Sequence, residues 1–286
     1  MTDLIQADPC GDSAVLDRTG SDVRLLAIDV DGTLLRSDGS LTRTNGDAIR
    51  AAARAGVKVV ISTARPPRGV KQIYDVLGLD TLTINYNGAL IHDPQRNRNL
   101  SHLPVDPLLA QRVITAARKA YKPCVVSVEI LDRWYTDHYD ESLPIETGKI
   151  FTPDFIGPIE AFLTRPITKL MLMARPEHLR TVIEAVRKRF ANELCIVQSD
   201  RHLLLIMHPH ASKGAALAQV AERYGIRQSE TMAIGDAPND ESMLRWAQIG
   251  CAVASGWQQT LDAANVIVPS NDDNGVAAAI GQYVLG

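Results

Sequence analysis

Cysteine, net charge and long apolar runs are all in short supply in this chain, and each shortage removes a class of protein. Four cysteines among 286 residues, Cys10, Cys124, Cys195 and Cys251, form no C-x-x-C pair. That spacing excludes a zinc knuckle and a disulfide framework and leaves reduced thiols. Lys and Arg number 30 against 33 Asp and Glu, a net charge of −3. No basic field therefore exists to hold nucleic acid or an anionic membrane, and an anionic ligand must be held by a local device. No apolar run approaches the roughly 20 residues needed to cross a bilayer. Residues 1–20 carry Asp3, Asp8, Asp12 and Asp17 against Arg18 alone, with no basic stretch ahead of an apolar one, so they do not read as a secretory signal. The expectation is a soluble cytoplasmic protein with a polar leader over residues 1–22, a candidate for disorder. Its partners include no nucleic acid and no membrane, and no obligate protein partner is evident.

What remains is ordinary globular composition, 45% hydrophobic and 22% charged, enough to bury a core. At roughly 150 residues per domain the length fits about two domains. From Val23 short apolar runs alternate with amphipathic stretches, the rhythm of β-α-β units around a parallel sheet. Strands are predicted at Val23 to Asp29, Val57 to Ser62 and Leu82 to Asn85, and helices at Thr42 to Ala55 and Pro66 to Leu77. The same rhythm returns late, with a helix at Ser212 to Tyr224, a strand at Thr231 to Gly235, a helix at Asn239 to Ala247, strands at Gly250 to Ala254 and Val266 to Val268, and a last helix from Gly275. Residues 23–90 and 208–286 are therefore expected to form one α/β core, a doubly wound, Rossmann-like parallel sheet. Between them, residues 91–207 read as an inserted α+β domain. Its predicted strands are Cys124 to Ile130, Arg133 to Thr136, Thr168 to Ala174, Leu194 to Ser199 and Leu203 to Met207, and its helices Pro107 to Tyr121 and Pro176 to Phe190.

Four motifs fall at strand tips or helix starts of the core, where an open α/β sheet holds its ligands. Leu25-Leu26-Ala27-Ile28 runs straight into Asp29 and Asp31, and Gly32 permits a sharp turn just after. Taken alone, Asp31-Gly32 also reads as a simple turn. Ser62-Thr63-Ala64-Arg65 follows the second strand and meets Pro66 at the first position of a helix, where Ser62 or Thr63 could instead be a cap. Lys213-Gly214 opens a helix, an unfavourable place for a cation unless it serves an anion. Gly235-Asp236-Ala237-Pro238-Asn239-Asp240 sets one carboxylate at a strand tip and a second four residues on; by itself Asp236 could cap the helix.

In order and context these motifs resemble those of the haloacid dehalogenase superfamily of phosphohydrolases. The insert between Thr63 and Lys213, the segment Asn85-Tyr86-Asn87-Gly88-Ala89 and the late Val268-Pro269-Ser270-Asn271 with Asp273-Asn274-Gly275-Val276-Ala277 resemble its Cof-type branch, subfamily IIB, whose α/β cap of type C2B is inserted after the third core strand. The resemblance implies that Asp29 is a nucleophile forming an aspartyl-phosphate and that Asp31 first protonates the leaving oxygen and then takes a proton from water. It implies Mg²⁺ held by Asp29, the backbone carbonyl of Asp31 and Asp236, with Asp240 orienting from behind. Thr63, Asn239 and Lys213 would hold the phosphoryl oxygens, and Arg65 would reach the substrate. Three carboxylates and a phosphate dianion outweigh the charges of Mg²⁺ and Lys213, so the cation and helix-start donors are required for an anionic substrate to enter. Two places depart from the branch: Ala64 replaces a usual Gly, and Ala254-Ser255-Gly256-Trp257 replaces a usual Met-Gly-Asn-Ala.

The expected function is a Mg²⁺-dependent phosphomonoesterase acting on a small phosphorylated metabolite, a sugar phosphate or a nucleotide- or cofactor-related phosphate. The alternatives are a phosphomutase using the same intermediate, a phosphoacceptor of the signalling-receiver kind, disfavoured by the 150 positions that separate Thr63 from Lys213, and a silent sugar-phosphate binder. His208 and His210 read as structural strand-end histidines, with an approach to the phosphate, just ahead of Lys213, as the functional alternative. The aromatic stretch Trp134, Tyr135, His138 and Tyr139 reads as packing of the insert, with a lid over the site as the functional alternative. Arg65 and Arg68 are expected to serve the site or a loop.

Overall fold

The computed structural model describes residues 22–143, 148 and 151–286; the expected leader falls outside them save for its last residue. One sheet contains β1 (Leu25–Ile28), β2 (Lys58–Ser62), β3 (Thr83–Asn85), β4 (Leu90–Asp93) and β5 (Arg98–His102), then, after a second sheet, β12 (Thr231–Gly235), β13 (Ile249–Val253) and β14 (Val266–Val268). The second sheet holds β6 (Val125–Ile130), β7 (Arg133–Thr136), β8 (Phe155–Ile156), β9 (Lys169–Met173), β10 (Cys195–Asp200) and β11 (Leu203–Met207). In space the first runs β14-β13-β12-β1-β2-β3-β4-β5 and the second β10-β11-β9-β6-β7-β8. The helices are α1 (Arg43–Arg54), α2 (Pro67–Leu77), α3 (Pro107–Ala120), α4 (Pro176–Phe190), α5 (Lys213–Tyr224), α6 (Glu241–Trp246), α7 (Gln258–Ala263) and α8 (Gly275–Ile280).

The first sheet is parallel from β14 to β3. Both faces of β1 are covered because its residues are apolar without alternation, the pattern of a doubly covered strand. Leu26 and Ile28 join Ile49, Val70, Tyr74 and Ile280 on one side, and Leu25 and Ala27 join Leu217, Val220 and Leu244 on the other. The chain winds outward from β1 in one direction to β3, and from β12 in the other to β14. The crevice where the strand order reverses thus opens between the carboxyl ends of β1 and β12.

The insert buries one sheet face under α3 and α4, with Val126, Val128, Leu170, Leu172, Leu204 and Ile206 facing Val113, Ile114, Val182 and Val186. Its other face presents Val125, Trp134, Met171, Met173, Leu203 and Leu205. Asp106 caps α3, accepting from the amides of Leu108 and Leu109 at 2.9 and 3.0 Å.

Four expectations need correction. Residues 91–102 do not belong with the insert's sheet: β4 and β5 pair antiparallel onto β3 and extend the core sheet. The first helical position of α2 is Pro67, and Pro66 is its cap residue with no side-chain bond. Ser62 and Thr63 do not cap that helix; the Thr63 hydroxyl accepts the Arg65 amide at 3.1 Å instead. The predicted helix over 239–247 is a 3-10 turn, Pro238–Asp240, followed by α6.

Candidate active site

The register of β1 on β12 pairs Ile28 with Ile234, so the residues that follow each strand leave the sheet side by side. The Asp29 amide donates to the Ile234 carbonyl at 3.0 Å. Just beyond, Gly32 has φ +81° and a Cβ there would lie 2.5 Å from Oδ2 of Asp236. Glycine is needed twice over, for the left-handed backbone and for the approach to that carboxylate. Thr33, fully buried, donates its hydroxyl to Oδ1 of Asp236 at 2.7 Å.

Lys213 arrives from the far end of the chain. Ser212 caps α5 by accepting the Ala215 amide, which places Lys213 at the first helical position with its side chain wholly buried. The ammonium donates to Oδ1 of Asp29 at 2.5 Å and to Oδ1 of Asp240 at 2.6 Å. Those anions explain a lysine where the helix dipole disfavours one. Burial alone would lower its pKa, but Asp240 and Asp29 outweigh burial and raise it, so it stays charged. Asp240 is a buttress: its Oδ2 also accepts the amides of Asp236 and Ala237 at 3.0 and 3.1 Å, and it, not Asp236, caps the 3-10 turn.

One ammonium is too little charge for three acids. Burial raises the Asp29 carboxyl well above its ordinary range, only partly offset by Lys213 and reinforced by Asp240 and Asp236. Asp236 is raised to about 6, first by burial, against which the Thr33 hydroxyl works, and further by Asp240. Acceptor oxygens of Asp29, Asp236 and Asp240 lie within 4.8 Å of one another. An all-carboxylate set with uncompensated negative charge fits a hard, oxygen-seeking dication such as Mg²⁺. Asp29 and Asp236 each spend one oxygen on Lys213 or Thr33 and have a second to offer.

The loop after β2 is held by the loop after β3. Thr63, fully buried, receives the Asn87 amide on its carbonyl at 3.0 Å and gives its own amide to Ile84 at 2.8 Å. Asn87 also accepts the side-chain amide of Asn239 at 3.0 Å. Tyr86, Asn87 and Gly88 all have positive φ, 52°, 54° and 93°, and a Cβ on Gly88 would stand 2.1 Å from the Ser212 carbonyl. This tight crossing brings the loops of Thr63, Asn239 and Lys213 together. Arg65 turns onto Asp31, with Nε and Nη2 donating to its two carboxylate oxygens at 2.8 and 2.5 Å. A cleft of about 720 Å³ opens here, lined by Asp31, Gly32, Arg65, Asp236, Ser255 and Asn271.

The sequence assigns no role to Thr33 and presents Asn87, Ser255 and Asn271 only as members of motif segments, though Asn87 beside Gly88 is a readable signal of a forced turn. The divergent segment Ala254 to Trp257 leans on the site through its backbone, the Trp257 amide donating to the Asp236 carbonyl at 2.8 Å. His208 and His210 engage each other, the His210 amide donating to Nδ1 of His208 at 3.2 Å. Tyr135 stacks on Phe155 at 5.0 Å inside the insert, and Trp134 meets Tyr139 edge to face, so the aromatic stretch packs within the insert.

Comparisons with known proteins agree with this geometry. A model of haloacid dehalogenase-like hydrolases matches residues 26–280. Phosphatase YwpJ of Bacillus subtilis (strain 168) is 31% identical over 283 residues, covering 89% of this chain and 98% of that one. The 5-amino-6-(5-phospho-D-ribitylamino)uracil phosphatase YitU of the same organism is 28% identical over 268 residues, covering 91% and 97%. Among solved structures, a haloacid dehalogenase-like hydrolase from Bacteroides thetaiotaomicron superposes with a TM-score of 0.82 at 21% identity, covering 91% and 98%. The subclass IIB sugar phosphatase BT4131 superposes at 0.75 and 20% identity, covering 91% and 98%. No helix among the described residues is long and apolar enough to cross a membrane. With its motifs meeting at the crevice between β1 and β12, the chain belongs to the haloacid dehalogenase-like hydrolases, in the Cof-type branch, and is a phosphatase.

Proposed function

We propose that the protein is a Mg²⁺-dependent phosphomonoesterase that hydrolyses its substrate through an aspartyl-phosphate on Asp29. The observation that carries this reading is the meeting of the start of α5 and the loop after β12 at Asp29, with Lys213 bonded to it at 2.5 Å and oxygens of Asp236 and Asp240 within 4.8 Å. Mg²⁺, held by Asp29, Asp236 and the backbone carbonyl of Asp31, would supply the positive charge that lets a phosphate dianion sit against these acids. The third hydrogen of the Lys213 ammonium, beyond those given to Asp29 and Asp240, is available to a phosphoryl oxygen. Thr63 and Asn239 supply further donors, and Arg65 flanks the leaving group from its place on Asp31.

A carboxylate oxygen of Asp29 attacks phosphorus as the ester bond breaks, and the bond's electron pair leaves on the ester oxygen, which takes a proton from one oxygen of Asp31 while Arg65 keeps hold of the other. Asp31, now a carboxylate, then removes a proton from water as that water attacks the phosphorus, which frees phosphate and restores Asp29. A carboxyl placed two residues past the nucleophile suits substrates whose leaving oxygen is an alkoxide and needs the proton. The substrates named for YitU and the sugar phosphatase class of BT4131 fit that chemistry, and we assign this enzyme a small sugar, polyol or cofactor-related phosphate.

Phosphate release from an aryl phosphate, with Mg²⁺ and with chelator, tests the reading. Asp29→Asn should lower kcat by at least about 10³-fold, the scale of losing a covalent nucleophile, without changing the fold seen by circular dichroism. Substantial turnover by the purified variant would overturn the assignment of Asp29.

A further inference from the structure

α2 begins in a sequence that cannot cap itself. Pro66 offers no side-chain oxygen and Pro67 no amide, so the first free N–H of the helix is that of Arg68. Its acceptor comes from the insert: the amide donates to Oδ1 of Asp132, in the turn between β6 and β7, at 3.1 Å. The Arg68 guanidinium lies against Asp154, Nη2 to Oδ2 at 2.8 Å, and over the Phe151 ring at 4.5 Å. Asp154 is fixed in turn by the Trp134 amide at 2.9 Å and by Arg133 at 2.8 Å.

The same helical turn grips the residue that holds Asp31. Nη1 of Arg65 donates to the Gly69 carbonyl at 3.1 Å, and its other two nitrogens, Nε and Nη2, fork onto both oxygens of Asp31. The Asp31 side chain is 52% exposed, so without the fork its carboxyl would sample several rotamers in the cleft. Bonds thus run without a break from Asp132 to the Arg68 amide, through one peptide to Gly69, to Arg65 and on to Asp31.

We propose that Asp132 is a positioning residue for Asp31, acting across the boundary between insert and core by fixing the first turn of α2 and, through it, the Arg65 fork. The inference rests on the reading of Asp31 as the proton donor. Proton transfer requires the carboxyl within hydrogen-bond reach of the ester oxygen, and a displacement of about 1 Å costs on the order of 10²-fold. Only esters whose leaving oxygen needs the proton feel that loss.

Leaving-group dependence reads this directly. Asp132→Ala should lower kcat/KM for glycerol 1-phosphate by about tenfold and for phenyl phosphate by less, while p-nitrophenyl phosphate, which leaves readily unprotonated, changes less than about twofold. Asp132→Asn, whose amide oxygen still accepts the Arg68 N–H, should follow the parent on all three. If the alanine variant does not fold, Asp132→Glu, which displaces the acceptor by one methylene, should show the same graded loss. A purely structural role would scale all three substrates equally, and an equal loss, no loss, or an asparagine variant as poor as alanine overturns the proposal. A parent enzyme inactive on all three esters overturns the phosphatase mechanism itself, whereas an active parent with a flat profile in the variants overturns only this inference.

Discussion

Replacing Lys213 by methionine isolates the electrostatics on which the site depends. The lysine is 0% exposed, as is Asp240, and Asp29 is 7% exposed. Methionine fills much of the volume but leaves two buried carboxylates without their cation. Removing one partner of a buried ion pair costs about 3–5 kcal/mol. At roughly 2–4 °C per kcal/mol for a chain of this size, the metal-free variant should melt about 6–20 °C below the parent. Burial and its acidic neighbours already push the Asp29 carboxyl up, so the variant should take up a proton there more readily. Mg²⁺ should recover part of the loss, since a ligand at about 100 times its Kd contributes about 2.7 kcal/mol, and the variant, with one cation fewer, should show the larger Mg²⁺-induced rise. Adding Asp240→Asn should raise stability above the single Lys213→Met variant by removing one unneutralised charge, and the cycle should show coupling of at least about 1 kcal/mol. Turnover should fall by about 10²–10³-fold, the scale of one lost donor to developing charge. Thermal and urea melts with Mg²⁺ or chelator at pH 7, and kcat for an aryl phosphate, supply the measurements. A metal-free variant within about 1 kcal/mol of the parent would refute the claim that the Lys213 ammonium is the counter-charge that stabilises Asp29 and Asp240 in the interior.

Gly88→Ala should destabilise the fold by more than about 2 kcal/mol, because φ of 93° and a Cβ 2.1 Å from the Ser212 carbonyl leave no room for relaxation; a urea midpoint close to the parent's would contradict that crossing. The Asp236 carboxyl, raised to about 6 in the folded protein from an ordinary 3.8, binds its proton more tightly folded than unfolded. The metal-free protein should therefore gain stability as pH falls from 6 toward 4, while calorimetrically measured Mg²⁺ affinity declines over the same range; affinity independent of pH there would remove Asp236 from the metal site. Thr33→Val deletes the hydroxyl that lowers the Asp236 pKa, and should move the pH of half-maximal Mg²⁺ binding upward.

The parts legible in the sequence were those whose cause is local. An unbroken apolar run into Asp29 reads as a central strand because both faces of β1 are buried, and Lys213 at a helix start is anomalous without an anion, which Asp29 and Asp240 supply. Strand β5 escaped because Arg98–His102 has no buried alternation; it pairs only because β4 offers it an edge. Helix α7 escaped because six residues carry too little periodicity to register.

What no local pattern could announce is the dependence of α2 on Asp132. Two adjacent prolines at the start of α2 look like a well-formed helix entry, since proline suits the first turn. Yet they remove the hydroxyl or carboxylate that would normally satisfy the first amides, and the deficit passes to whatever the fold brings alongside. Asp132 fills it from 64 positions away, and Asp154 adds a counter-charge from 86. A missing cap is therefore a signal that can be read forward: α3 also starts on proline but is capped by Asp106 just before it, whereas in α2 the cap residue is itself a proline, and the acceptor comes from another element that is thereby bound to the geometry of the site. Here it is the hairpin of β6 and β7, so the insert touches the chemistry through hydrogen bonds to α2 as well as by any cover it gives the cleft.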